Sequence, residues 1–270
     1  MATEAVATNH EKSSMTVSQL VEYTKQELDA DAERQAKVSA TGTGGLESQT
    51  GATLDLSHKN INALPVEVIA LIKDKVERLA LSHNPQIAVP SQIVQCNRLR
   101  YLNIRWNKLR HFPEAILQLS ALEILDLSKN NIDAIPEEIR NMASLKFLAV
   151  AKNKITRLPF ALGEMPSLSK LKFDENPIEF PPPDVLKPIQ DHIAVSIESE
   201  KEVCQQVKRF LKAAGVREKM RSHSEDEARY DLDVGFAYSK RTERLRSESN
   251  ADMPRPPKRM ASGRFPIRPS

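Results

Sequence analysis

Apolar residues in this chain recur in short alternating blocks, and the blocks themselves repeat. VERLALSHN (76–84), LRYLNIRWN (99–107), LEILDLSKN (122–130), LKFLAVAKN (145–153) and LSKLKFDEN (168–176) share one layout. Their closing asparagines, Asn84, Asn107, Asn130, Asn153 and Asn176, stand 23 residues apart each time. A fixed period of this size marks stacked structural repeats. A weaker copy, TLDLSHKNINALP (53–65), precedes them by 25 residues, with Lys59 in the asparagine position. Nine positions past the second strand leucine a proline recurs: Pro65, Pro90, Pro113, Pro136, Pro159 and Pro182.

The alternation predicts a short strand in each copy, with leucines facing a core and the residues between them facing out. Stacked copies make a parallel sheet on a concave side. Each asparagine falls where the chain turns inward, so its amide is expected to bond loop backbone of its own and the neighbouring copy. The proline fixes φ as the chain starts back along the convex side. There Ile116 and Leu119, or Ile139 and Met142, close the core. Cys96 takes the same slot one copy earlier and reads as a core residue. Two departures stand out. Lys59 lies in the first copy, where only one neighbour needs bonding. Gln86 stands where a leucine is expected, which predicts a looser loop over 84–89.

This layout resembles the leucine-rich repeat in its short cytoplasmic form, LxxLxLxxNxLxxLPxxIxxLxx. The resemblance implies an α/β fold: a leucine-rich-repeat solenoid with a parallel concave sheet. A solenoid exposes sheet edges and half a core at its ends, so caps are needed. Thr16 to Gln19 forms a capping box, and Val17, Leu20, Val21, Thr24 and Leu28 follow at helical spacing, predicting a helix over about 16–36. A flexible link over 38–51 leads into the first strand. Ser199 to Glu202 is a second capping box; Val203, Val207, Phe210, Leu211 and Ala214 make one stripe, with Gly215 as the stop. The organisation expected is a disordered 1–15, a helix and link over 16–51, six repeats over 52–183, a connector and helix over 184–216, and a disordered basic tail over 217–270.

Composition narrows the function. The chain has 270 residues and a formal net charge of +3, so no global push toward nucleic acid exists. Two cysteines 108 positions apart, Cys96 and Cys204, form no disulfide framework or zinc spacing. No transmembrane run or signal peptide is evident, and a cytoplasmic monomer is expected. P-loop, GxSxG and HExxH motifs are absent, so the reading is non-enzymatic, without cofactor or metal. His58 and His83 share one column of successive repeats; they read as solvated loop histidines. The tail holds 13 Lys and Arg against 9 Asp and Glu, a net +4 over 217–270. Ser224, Ser247, Ser249 and Ser262 each follow an arginine by three positions, the spacing of basophilic kinase sites.

The concave face carries the functional expectation. Tyr101, Ile124 and Phe147 adjoin in one outward column, and an apolar patch on an open face marks an interface. Asn103, Arg105 and Trp106 flank it, with Lys129 and Lys152 as a basic rim and Asp126 as an acid. Tyr, Trp and Arg are enriched at binding hot spots. These nine residues are the expected protein-binding site.

Particular words narrow the resemblance further. TLDLSHKNINALPVEVI, VERLALSHN, LRYLNIRWNKLRHFPEAILQLSALEILDLSKNNIDAIPEEI and VCQQVKRFLKAAG resemble the Sog-type leucine-rich-repeat scaffolds of the fungal RAM morphogenesis network. That resemblance implies a scaffold in an NDR-family kinase pathway for polarised growth. The implied partners are a germinal-centre-type kinase, its armadillo-like adaptor or the NDR-family kinase itself. The alternatives are a regulatory subunit targeting a phosphatase or small GTPase, and a repeat module cut from a larger multidomain protein.

Overall fold

The structure is a computed structural model that describes residues 14–41, 51–85, 87–186 and 200–221. Six parallel strands run in sequence order: β1 (Ala52–Asp55), β2 (Val76–Ala80), β3 (Tyr101–Asn103), β4 (Ile124–Asp126), β5 (Phe147–Ala149) and β6 (Lys170–Lys172). Their register aligns Leu54, Leu79, Leu102, Leu125, Leu148 and Leu171 in one inward column. All six are buried. Each return begins at a proline in extended conformation, Pro65, Pro90, Pro113 and Pro136, with φ between −74° and −65°. Repeats two to four then make only a five-residue 3-10 turn, over Ser91–Gln95, Glu114–Gln118 and Glu137–Asn141. The first return has room for a seven-residue helix, α2 (Val66–Ile72), and the fifth forms α3 (Ala161–Glu164). The product is a leucine-rich-repeat solenoid.

The asparagines form a ladder with a direction. Asn130 Nδ2 donates to Leu127 O of its own repeat and Ile104 O of the preceding one, both at 2.9 Å. Its Oδ1 accepts from Asn107 N and Leu109 N, at 2.9 and 3.1 Å, again in the preceding repeat. Each asparagine therefore serves the repeat before it, and Asn84 already serves the first through Ile61 N and Leu56 O. An asparagine at position 59 would have no earlier repeat to bond, which is why Lys59 is tolerated. Its ammonium lies 4.0 Å from the Tyr23 ring centroid instead. In the second repeat, Ile87 is buried one position later than its counterparts and its N–H bonds Asn84 O at 2.9 Å. It fills the core site that a residue at 86 would take; Gln86 itself lies outside the described residues.

The first end is covered by α1 (Val17–Thr41). It outruns the expected end at 36 because no Gly or Pro occurs before Gly42. The capping box forms: Thr16 N bonds Gln19 Oε1 at 2.9 Å and Gln19 N bonds Thr16 Oγ1 at 3.3 Å. The buried line is Leu20, Thr24, Leu28 and Asp31, while Val17, predicted on that stripe, is exposed. Thr24 is tolerated because its hydroxyl donates to Leu20 O at 2.7 Å. Asp31 Oδ2 accepts the edge amide of Thr53 at 3.3 Å, so the open side of β1 is partly capped by a carboxylate.

The other end is covered by a helix over 200–221, α4. Val203, Cys204, Val207 and Leu211 are buried. Lys208 Nζ donates to Leu168 O at 2.8 Å, and Glu200 pairs with Lys170 and Lys172 of β6. Gly215 was expected to stop this helix, yet the helix runs through it. A Cβ there would lie 3.2 Å from Phe160 Cβ, so the glycine permits close approach rather than an end. The basic tail expected from 217 is helical to 221. Beyond that it lies outside the described residues, as do Ser224, Ser247, Ser249, Ser262, most of the link over 42–50 and the connector from 187 to 199.

Where the strands begin, a second ladder links the repeats. Arg98 Nη2 bonds Glu77 Oε1 at 2.9 Å, and Glu77 Oε2 accepts Gly51 N. Glu123 receives Arg100 and, at 2.7 Å, Lys146 Nζ. The Lys146 hydrogen bond, with Arg100 adding to it, holds the Glu123 carboxyl below its ordinary value. A depressed folded-state value means the contribution is whole above the unfolded carboxylate range and fades as pH falls through it. The wild type is therefore expected to lose more melting temperature than Glu123→Gln between about pH 5 and pH 3. Equal slopes in parallel thermal melts would count against this.

Candidate concave interface

The parallel register sets Tyr101, Ile124 and Phe147 side by side across β3, β4 and β5. Strand spacing is about 4.8 Å, so their side chains form a continuous strip. Each is half-buried. The strip ends in cations: Arg78 stacks on the Tyr101 ring at 4.8 Å, and Lys172 Nζ lies 5.9 Å from the Phe147 centroid. The register puts Lys170 next to Phe147, and Lys172, aligned with Ala149, reaches over from the neighbouring column.

One edge of the concave face is built differently. His58, His83, Trp106, Lys129, Lys152 and Glu175 all have φ between 55° and 61°. A left-handed non-glycine residue costs about 1–2 kcal/mol. The conformation persists because each amide extends the ladder: His58 N reaches Ser82 O, His83 N Arg105 O, Trp106 N Ser128 O and Lys129 N Ala151 O, at 2.8–3.2 Å. The turn also throws the side chains into one row. His58 and His83 stack with centroids 4.0 Å apart, His83 stacks on Trp106 at 5.6 Å, and Lys129 Nζ sits 4.4 Å from the Trp106 ring. The two histidines are exposed, as expected, but they are not independent: His58 stacks on His83, and His83 on the tryptophan. Partial burial, then the charges of His58, Arg105 and Lys129, hold His83 below the ordinary imidazole value.

Several expected contact residues are engaged by their own backbone. Asn103 Oδ1 accepts Arg105 N at 3.0 Å, and Asp126 Oδ1 accepts Ser128 N at 2.8 Å. Lys152 is tied to Glu175 at 2.8 Å. Tyr101, Ile124 and Phe147 come together as one element, and Arg105, Trp106 and Lys129 with His83 as another. Arg78, His83 and Lys172 are additions; their positions in the outward columns are visible in the sequence, but their stacking is not. The cysteines lie in the core, with burial pushing both thiols up to about 11. Among the described residues no cluster of three His, Cys, Asp or Glu could hold a metal, and no helix is long and apolar enough to cross a membrane.

A parallel sheet of tandem LxL strands, an asparagine ladder and an open concave face define a protein-interaction repeat module. A family model described as a leucine-rich repeat region matches residues 78–180. Over that stretch the chain is a leucine-rich-repeat region, and 64 residues of the chain are 47% identical to the leucine-rich repeat-containing protein sog2 of Schizosaccharomyces pombe. That match covers 24% of this chain and 7% of the relative's length. Among solved structures, a leucine-rich-repeat protein of Leptospira interrogans is 31% identical, with a TM-score of 0.43, over 49% of this chain and 34% of that one. An internalin of Listeria monocytogenes is 22% identical, with a TM-score of 0.36, over 48% of this chain and 43% of that one.

Proposed function

We propose that the chain is a scaffold that grips a protein partner on its concave face, within a cytoplasmic kinase pathway of polarised growth. The observation that carries the concave-face reading is the Tyr101–Ile124–Phe147 strip, an apolar band on an open sheet with a cation at either end. Aromatic side chains on rigid strands lose little conformational freedom on binding, so such a band is an efficient anchor. The pathway rests on the likeness to sog2 and on the Sog-type resemblance, which points to a germinal-centre-type kinase, its armadillo-like adaptor or an NDR-family kinase as partner. Affinity purification of the full chain, followed by Kd measurement on each recovered kinase or adaptor, tests both parts. Tyr101→Ala with Phe147→Ala is expected to weaken the partner at least about 30-fold, the effect of losing a hot spot. Undiminished binding would remove the concave face from the proposal; recovery of no kinase or adaptor would remove the pathway.

A further inference from the structure

We propose that the rim around Arg105 receives a carboxylate side chain, Asp or Glu, from an extended segment of the bound protein. This rests on the concave-face reading and adds the chemistry of what is bound. The first observation is a set of cations without counter-ions. Among the described residues, Arg78, Arg105 and Lys129 have no carboxylate within ion-pair distance, whereas Arg100, Lys146, Lys152, Lys170 and Lys172 are all paired. The nearby acids are already engaged: Asp55 and Asp126 accept the amides of Ser57 and Ser128, and Glu175 holds Lys152.

A second observation is independent of charge counting. Arg105 Nε is shielded from solvent and has no hydrogen-bond partner. A buried donor without an acceptor is rare in folded proteins. Turning the guanidinium outward would present Nε and an Nη side by side, the fork that matches one carboxylate. Beside it stand Trp106, 46% exposed, and Lys129 over its ring. The indole offers a flat surface for the stem of an Asp or Glu, and the ammonium supplies a second positive charge. The His83 imidazole stacks against the indole, with 5.6 Å between centroids.

The test uses the full chain and a positional peptide library. Each of seven positions is fixed in turn as Asp, Glu, phosphoserine, Lys or Ala, and binding is read from Trp106, the single tryptophan. The expected result is selection of Asp or Glu at one position by at least ten-fold over Ala. That selection should be lost in Arg105→Gln and become a preference for Lys in Arg105→Glu, while preferences at the other positions persist. Circular dichroism of both variants checks that they fold; the side chain is partly exposed and polar, so folding is expected to be retained. The inference is overturned by no acidic selection, by selection unchanged in Arg105→Gln, by selection of phosphoserine over Asp and Glu, or by no peptide binding at all. Loss of partner binding in Tyr101→Ala with Phe147→Ala, alongside an inert Arg105→Gln, would leave the concave interface standing and remove only the acid seat.

Discussion

Replacing Asn130 by alanine is expected to lower the unfolding free energy by about 3–5 kcal/mol, read from urea denaturation followed by circular dichroism. The side chain satisfies two carbonyls and two amides across two repeats. Ile104 and Leu127, whose carbonyls it caps, are completely buried, so water cannot take its place. Each stranded group costs about 1–3 kcal/mol, and relaxation of the loop recovers part of the sum. Because repeats contact only their neighbours, the loss should concentrate at the third and fourth repeats, with hydrogen exchange rising there first. Lys59→Asn is the counterpart. With no repeat before it, a new asparagine gains little and gives up the cation over Tyr23; a change under about 1 kcal/mol is expected. Comparable effects at positions 59 and 130 would refute the directional ladder.

Gly163→Ala is expected to cost about 2–3 kcal/mol and to loosen α4. A Cβ at position 163 would meet Lys212 N at 2.6 Å and Lys208 O at 2.8 Å, both backbone atoms of α4. Backbone cannot swing aside as a lysine tip can, so the helix must lift as a unit. It would then uncover the apolar end of the solenoid beside Leu168, whose carbonyl accepts a hydrogen bond from Lys208. Hydrogen-exchange protection over 200–216 should fall while protection at β2 to β4 is retained. Gly215→Ala separates close packing from helix propensity. Its new Cβ meets the Phe160 side chain at 3.2 Å, and alanine gains about 1 kcal/mol of helix propensity. A net change near zero is expected there. An unperturbed α4 in Gly163→Ala would show that the two helices do not touch as the structure has them.

The repeat is legible in the residue pattern alone. Five asparagines at one spacing and a proline at a fixed offset leave one strand register, because slipping by one residue would turn every leucine outward. That register also fixed which residues share a column, so Tyr101, Ile124 and Phe147 could be placed together from spacing alone. Cys96 could be assigned to the core in the same way. Helix limits were less legible. Gly215 reads as a stop by local rule, and only the neighbouring Phe160 reveals that it serves packing; Val17 lies on the apolar stripe, yet the sheet meets the helix along the line that starts at Leu20.

What the columns do follows from contacts between repeats. Left-handed turns stack His58, His83 and Trp106 and bring Lys129 over the indole, an effect of backbone conformation that histidine favours only modestly and that Trp106 and Lys129 do not announce. Asn103 and Asp126 face outward by alternation, but each spends an oxygen on the backbone two residues ahead. Arg105 sits in an ordinary polar position of its repeat, and only its packing against neighbouring strands leaves Nε buried and unpartnered. Periodicity specifies where a side chain starts; the contacts across repeats, 23 residues away in the chain and one strand away in space, determine which of its atoms remain free to bind.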